Sequence, residues 1–181
     1  MFDEFIDFVR EVYGTKKNIL LHEPKFIGNE KKYLNQCVDT TFVATSGKFI
    51  NEFEEKIAKY TGAKHAIATT NGTSALHVSL ILAGVEKNNE VITQPLNFVA
   101  TCNAISYCKA EPIFIDVDRD TMGLSPSALK SFLDKNTTVK NKQCLNNKTK
   151  KVIKACVPMH SYGHSCRIDE IKKICDERYI F

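Results

Sequence analysis

Beyond Gly62 the chain settles into an alternation that few folds can accommodate: four short runs of strand character, each followed by a stretch of helix length. His65-Ala66-Ile67-Ala68-Thr69 precedes a helix predicted over 73–83, and Glu90-Val91-Ile92-Thr93 precedes one over 98–107. Pro112-Ile113-Phe114-Ile115-Asp116-Val117 leads to a helix over 126–133, which Ser125 caps and Pro126 opens. Val152-Ile153-Lys154-Ala155-Cys156-Val157 leads to one over 168–178. Strands and helices in strict turn require crossovers between parallel neighbours, so the expected fold is α/β, with a mostly parallel sheet flanked by helices. The polar stretch 136–150 interrupts the rhythm and reads as a long surface loop or a hairpin.

Upstream of Gly62 the periodicity is helical. Phe5, Phe8, Val9 and Val12 share one face of a helix over 2–12 that Gly14 ends. Asn29 stands where it can cap a second helix over 30–38, and Gly47 precedes a third over 48–60, closed by Gly62. Between the first two, Ile19-Leu20-Leu21-His22-Glu23-Pro24 reads as an extended arm, because a residue before proline is driven towards β geometry. The expected division is therefore a helical arm, 1–62, and an α/β domain, 63–181. Arg178-Tyr179-Ile180-Phe181 falls where a fifth strand would begin. A chain end there would leave an open sheet edge, so the domain reads as truncated at the start of that strand.

Charge and composition narrow the function classes. The net charge of +4 is small, and the lysines between Lys130 and Lys151 have a single aromatic residue, Phe132, among them and sit in a polar, Asn-rich stretch, which argues against nucleic-acid binding. No apolar run approaches the roughly 18–20 residues that span a bilayer, and the acidic start Met1-Phe2-Asp3-Glu4 does not resemble a secretory signal. Seven cysteines, an odd number scattered through apolar stretches, suit reduced thiols and a cytoplasmic setting.

Three strand-to-helix junctions carry candidate chemistry. The first is Thr69-Thr70-Asn71-Gly72-Thr73-Ser74, where a glycine permits a tight turn and a helix begins with two hydroxyls and free N–H groups. Such a helix start attracts phosphate. From this turn alone a capped helix with no ligand is the simpler reading, and neither a Walker loop nor the three-glycine dinucleotide fingerprint is present. The second is Gln94-Pro95-Leu96-Asn97-Phe98, whose Phe98 suits either stacking on a flat ring or a place in the core. The third, Pro158-Met159-His160-Ser161-Tyr162-Gly163-His164, offers His160 as a ligand contact or as a structural histidine. Cys156, His160, His164 and Cys166 invite a zinc reading, but Cys156 lies within a strand whose alternation turns it away, and no Cys-x-x-Cys knuckle supports a metal.

Taken in order, these junctions resemble the DegT-type nucleotide-sugar aminotransferases. The resemblance is carried by Asn29-Glu30 with Tyr33, Gly47-Lys48-Phe49 with Phe53-Glu54, and Asn71-Gly72-Thr73-Ser74-Ala75-Leu76-His77. It continues through Phe98-Val99-Ala100-Thr101-Cys102-Asn103-Ala104, Asp116-Val117-Asp118 with Asp120-Thr121, and Pro158-Met159-His160-Ser161-Tyr162-Gly163. Within the family the chain looks most like the branch of legionaminic-acid-type sugar synthesis. The resemblance implies the N-terminal part of a fold-type-I large domain that binds pyridoxal 5'-phosphate and passes an amino group from glutamate to a keto-sugar nucleotide, in a cytoplasmic homodimer. It implies that Gly72, Thr73 and Ser74 hold the cofactor phosphate, that Phe98 stacks on its ring, and that His160 and Asn103 belong to the ligand pocket. It assigns no catalytic residue here, because the family's Schiff-base lysine and the acid that pairs with the pyridine nitrogen lie beyond Arg178. In the family's sheet, later strands stand between the first strand and the next three, so these residues alone are expected to be unstable. Two other readings remain: a non-catalytic remnant, and a phosphate-binding α/β domain.

Overall fold

Strand β1 (Glu90–Thr93) is buried at all four positions, as a strand must be when it lies inside a sheet covered on both faces. The computed structural model describes residues 2–20, 23–44 and 47–181. In it β1 is flanked in parallel by β2 (Glu111–Phe114) and β5 (Val152–Val157). An antiparallel hairpin, β3 (Thr137–Lys140) and β4 (Gln143–Asn146), extends the sheet to the order β2-β1-β5-β4-β3. The polar stretch is thus a hairpin. Its two central residues, Asn141 and Lys142, have φ of 52° and 59°, the left-handed pair that a tight two-residue turn requires.

Alternation along the strands divides the core. Ile92 and Ile153 face one side, where Leu129 and Leu133 of α6 (Pro126–Asn136) and Ile171 and Cys175 of α7 (Ile168–Asp176) close over them. Val91 and Ala155 face the other, under Leu80 of α4 (Gly72–Leu82) and Ala104 and Ile105 of α5 (Val99–Tyr107). Helix α6 begins as its sequence dictates, with Pro126 in the first turn and the Ser125 hydroxyl accepting the Ala128 N–H at 3.3 Å. The expected parallel α/β layer is present, and helices cover both faces.

Two compact units divide the chain, Met1–Ala68 and Thr69–Phe181. The first holds α1 (Asp3–Tyr13), α2 (Glu30–Asp39) and α3 (Lys48–Thr61), with Gly14 and Gly62 in the left-handed conformation that ends α1 and α3. None of its described residues is buried. Asn29 makes no side-chain capping bond; the Glu30 carboxylate instead takes the Gly28 N–H at 2.9 Å. Leu21 and His22 of the expected extended arm lie outside the described residues.

One expected strand is absent. Residues 65–69 have no ladder neighbour among the described residues, and their order rests on local contacts such as the Ala68 N–H on Glu54 Oε1 at 2.7 Å. A strand is defined by its partner, which a local apolar run does not supply. The other end of the chain has one: Phe181 donates its N–H to Lys154 O at 3.0 Å and accepts the Cys156 N–H at 2.9 Å. Those bonds straddle Ala155 in the manner of a parallel ladder.

Candidate functional site

Parallel strands leave their carboxyl ends facing a common edge, and the loops that follow them form its rim. A cleft of about 650 Å³ opens there, lined by Gly72, Thr73 and Leu76 of α4, by Asn97, Phe98 and Thr101 at the start of α5, and by Val157–His160 after β5. The three junctions singled out in the sequence therefore meet, and Gly72, Thr73, Phe98 and His160 share one wall system. Ser74 on α4 and Asn103 on α5 are half-buried and stand outside that lining.

Helix α4 starts one residue earlier than the periodicity predicted. Gly72 is its first residue, and Asn71 is the cap, its Oδ1 accepting the Ser74 N–H at 2.8 Å. The predicted turn glycine is thus helical; what it provides is room, since a Cβ built on Gly72 would meet nothing within 4 Å. The cap consumes one of the N–H groups that sequence reasoning had left free. Those of Gly72 and Thr73 have no partner among the described residues, and neither do the Thr73 and Ser74 hydroxyls. A short row of unspent donors at the positive end of a helix therefore borders the cleft. An asparagine directly before a helix is a recognised capping signal, so Asn71 was legible from its position.

Phe98 is the extended residue that caps α5 and is 75% exposed, so it takes no part in the core that these residues form. Beneath it a ladder of polar side chains ties β1 to α5 and β5. Thr93 Oγ1 donates to Val157 O at 2.9 Å, Asn97 Nδ2 donates to Thr93 Oγ1 at 3.3 Å, and Thr101 Oγ1 donates to Asn97 Oδ1 at 3.3 Å. On the third wall His160 Nδ1 accepts the Cys166 N–H at 3.2 Å. With Nδ1 acting as acceptor, Nε2 is the ring nitrogen left to carry a proton, and His160 is among the residues that line the cleft. Cys156 packs against the core: its hydrogen bond to Cys175 and its burial push its thiol well up from the ordinary range.

The side chain that organises the rim escaped the sequence reading. Gln94, fully buried at the end of β1, accepts the Leu124 N–H at 2.8 Å and the Met159 N–H at 3.1 Å through Oε1. The two hydrogens on its Nε2 serve Leu96 O at 3.0 Å and Met122 O at 3.2 Å, with Ser161 Oγ at 3.4 Å sharing one of them. The Ser161 hydroxyl in turn donates to Met122 O at 2.6 Å. At Gly123 the loop before α6 runs so close to the loop before α7 that an added Cβ would overlap the Cys166 Cβ. Arg167 clamps the same two loops through ion pairs with Asp118 and Asp120.

Comparison with known proteins follows the same lines. Residues 24–181 match the profile of the DegT/DnrJ/EryC1/StrS aminotransferase family. GDP-perosamine synthase of Escherichia coli O157:H7 is 36% identical over 165 residues, 91% of this chain and 41% of that protein. EpsN of Bacillus subtilis (strain 168), which is named as a pyridoxal phosphate-dependent aminotransferase, is 37% identical over 160 residues, 88% of this chain and 39% of EpsN. The X-ray structure of the aminotransferase from Psychrobacter cryohalolentis aligns with a TM-score of 0.73 at 26% identity, covering 90% of this chain and 38% of that one. The chain spans about two fifths of the length of these relatives.

Proposed function

The chain belongs to the DegT/DnrJ/EryC1/StrS aminotransferase family, and from that premise we propose that its cleft is the cofactor half of a sugar-aminotransferase site, binding pyridoxal 5'-phosphate. The observation that carries this reading is the start of α4, where the N–H groups of Gly72 and Thr73 and the hydroxyls of Thr73 and Ser74 are unspent. A phosphate placed there meets donors, the positive end of a helix dipole and the space that Gly72 leaves open. The residues present fit the cofactor. Phe98 offers an exposed flat ring at the lip of the cleft, and His160 supplies a further polar contact to cofactor or substrate; Asn103 stands outside the cleft lining and is carried by the family resemblance alone.

When bound, the cofactor supplies a reactive carbonyl and an electron-withdrawing ring, through which an amino group is taken from one partner and given to another. This chain's residues bind and orient: Gly72, Thr73 and Ser74 anchor the phosphate, Phe98 covers a ring face and excludes water, and His160 donates a hydrogen bond from its Nε2–H. As the family resemblance implies, we place the Schiff-base lysine outside these 181 residues. The 181 residues alone are then expected to be inactive. Glutamate as donor, a keto-sugar nucleotide of surface-polysaccharide synthesis as acceptor, a cytoplasmic setting and a homodimer complete the reading, with the legionaminic-acid-type branch as its finer form. The name of the relative GDP-perosamine synthase supports the substrate class, and that of EpsN the cofactor.

Calorimetric titration with pyridoxamine 5'-phosphate tests the anchor, because that amine form does not condense with surface lysines. The phosphorylated ligand is expected to bind and unphosphorylated pyridoxamine to bind far more weakly. Thr73→Ala combined with Ser74→Ala is expected to cost roughly 1–3 kcal/mol of affinity. An unchanged affinity in the double variant would show that the phosphate lies elsewhere.

A further inference from the structure

His160 reaches the cleft from a turn with little regular structure, and what holds that turn lies on either side of it. The Met159 N–H is bound by Gln94 Oε1 at 3.1 Å, and Ser161 Oγ receives Gln94 Nε2 at 3.4 Å, so both chain neighbours of His160 are tied to one carboxamide. The same carboxamide binds the Met122 carbonyl and the Leu124 N–H, which fixes the turn against the loop before α6. Burying an amide costs free energy unless its whole hydrogen-bonding capacity is met, and at Gln94 both donors and both lone pairs are used. The three residues before it in β1 are Val91, Ile92 and Thr93, all buried. An apolar residue at position 94 would serve the core at lower cost, so the amide is there for the geometry it imposes.

We propose that Gln94 is the positioning residue for His160: by holding Met159 and Ser161 it keeps the imidazole Nδ1 on the Cys166 N–H and so presents the Nε2–H to the cleft. This inference goes beyond the cofactor assignment, and its test needs no cofactor. In the 15N-labelled protein a scalar coupling is expected across the bond between the Cys166 amide nitrogen and His160 Nδ1. Gln94→Met, similar in length but without polar atoms, is expected to abolish it. Leu129→Ala, a core truncation far along the chain, is expected to lower the melting temperature and leave the coupling intact.

A folded Gln94→Met protein that keeps the coupling overturns the proposal, as does a wild type that lacks it or a Leu129→Ala variant that loses it equally. Should Gln94→Met not fold, wild-type amide exchange decides: the Met159 N–H is expected to exchange as slowly as that of Ile92, and exchange at loop rates overturns the proposal. A protein that fails to bind pyridoxamine 5'-phosphate yet loses the coupling in Gln94→Met would reject the cofactor reading and leave this one standing.

Discussion

At residue scale the cleft separates side chains that hold the fold from side chains that are free to hold something else. Phe98 is 75% exposed, so it contributes little to folding. Phe98→Ala is therefore expected to change unfolding free energy by less than about 0.5 kcal/mol, while weakening pyridoxamine 5'-phosphate binding measurably by titration. A loss of stability with unchanged affinity would return Phe98 to a structural role. Of the expected residues, Gly72, Thr73, Phe98 and His160 were visible as exceptions to the pattern: hydroxyls at a helix start, an aromatic at a strand end, a histidine after a buried run. Gln94 was not, because glutamine is ordinarily a surface residue, and nothing local shows that three loops will close over it.

At the scale of elements, what matters is how closely the connecting loops approach. Gly123 has no room for a side chain against Cys166, so Gly123→Ala is expected to destabilise by about 1–3 kcal/mol through forced displacement of one loop, as read by urea unfolding. Nearby, the hydrogen bond from Arg167 holds the Asp120 carboxyl below its ordinary range. A carboxyl whose folded value is depressed adds stability above the unfolded value, ~3.9, and loses it as pH falls through the folded value. Asp120→Asn is expected to flatten the stability profile in that acid window, and high salt to blunt the difference. The parallel strands and their helices were legible because alternation and capping are local. Residues 65–69 read as a strand for the same local reason and are not one, since no neighbour among the described residues completes it. The Arg167 clamp spans 47 residues to Asp120, a distance over which spacing carries no signal.

For the molecule as a whole, the two units differ in what they bury. In Thr69–Phe181, Val91, Ile92, Leu129 and Ile153 are fully or almost fully excluded from solvent. In Met1–Ala68 no described residue is buried, and Phe5, Phe8 and Val12 of α1 are each at least 60% exposed. Apolar burial is what makes local opening costly. The amides of α1 are therefore expected to exchange orders of magnitude faster than those of Val91 and Ile92 in hydrogen–deuterium exchange. Comparable protection in the two would mean that α1 has found a cover. The knot at Gln94 has a practical consequence for anyone reshaping the cleft by mutagenesis. Positions 122–124 and 159–161 answer to one amide, so their substitutions will be epistatic, and libraries that vary them jointly will reach variants that stepwise saturation discards.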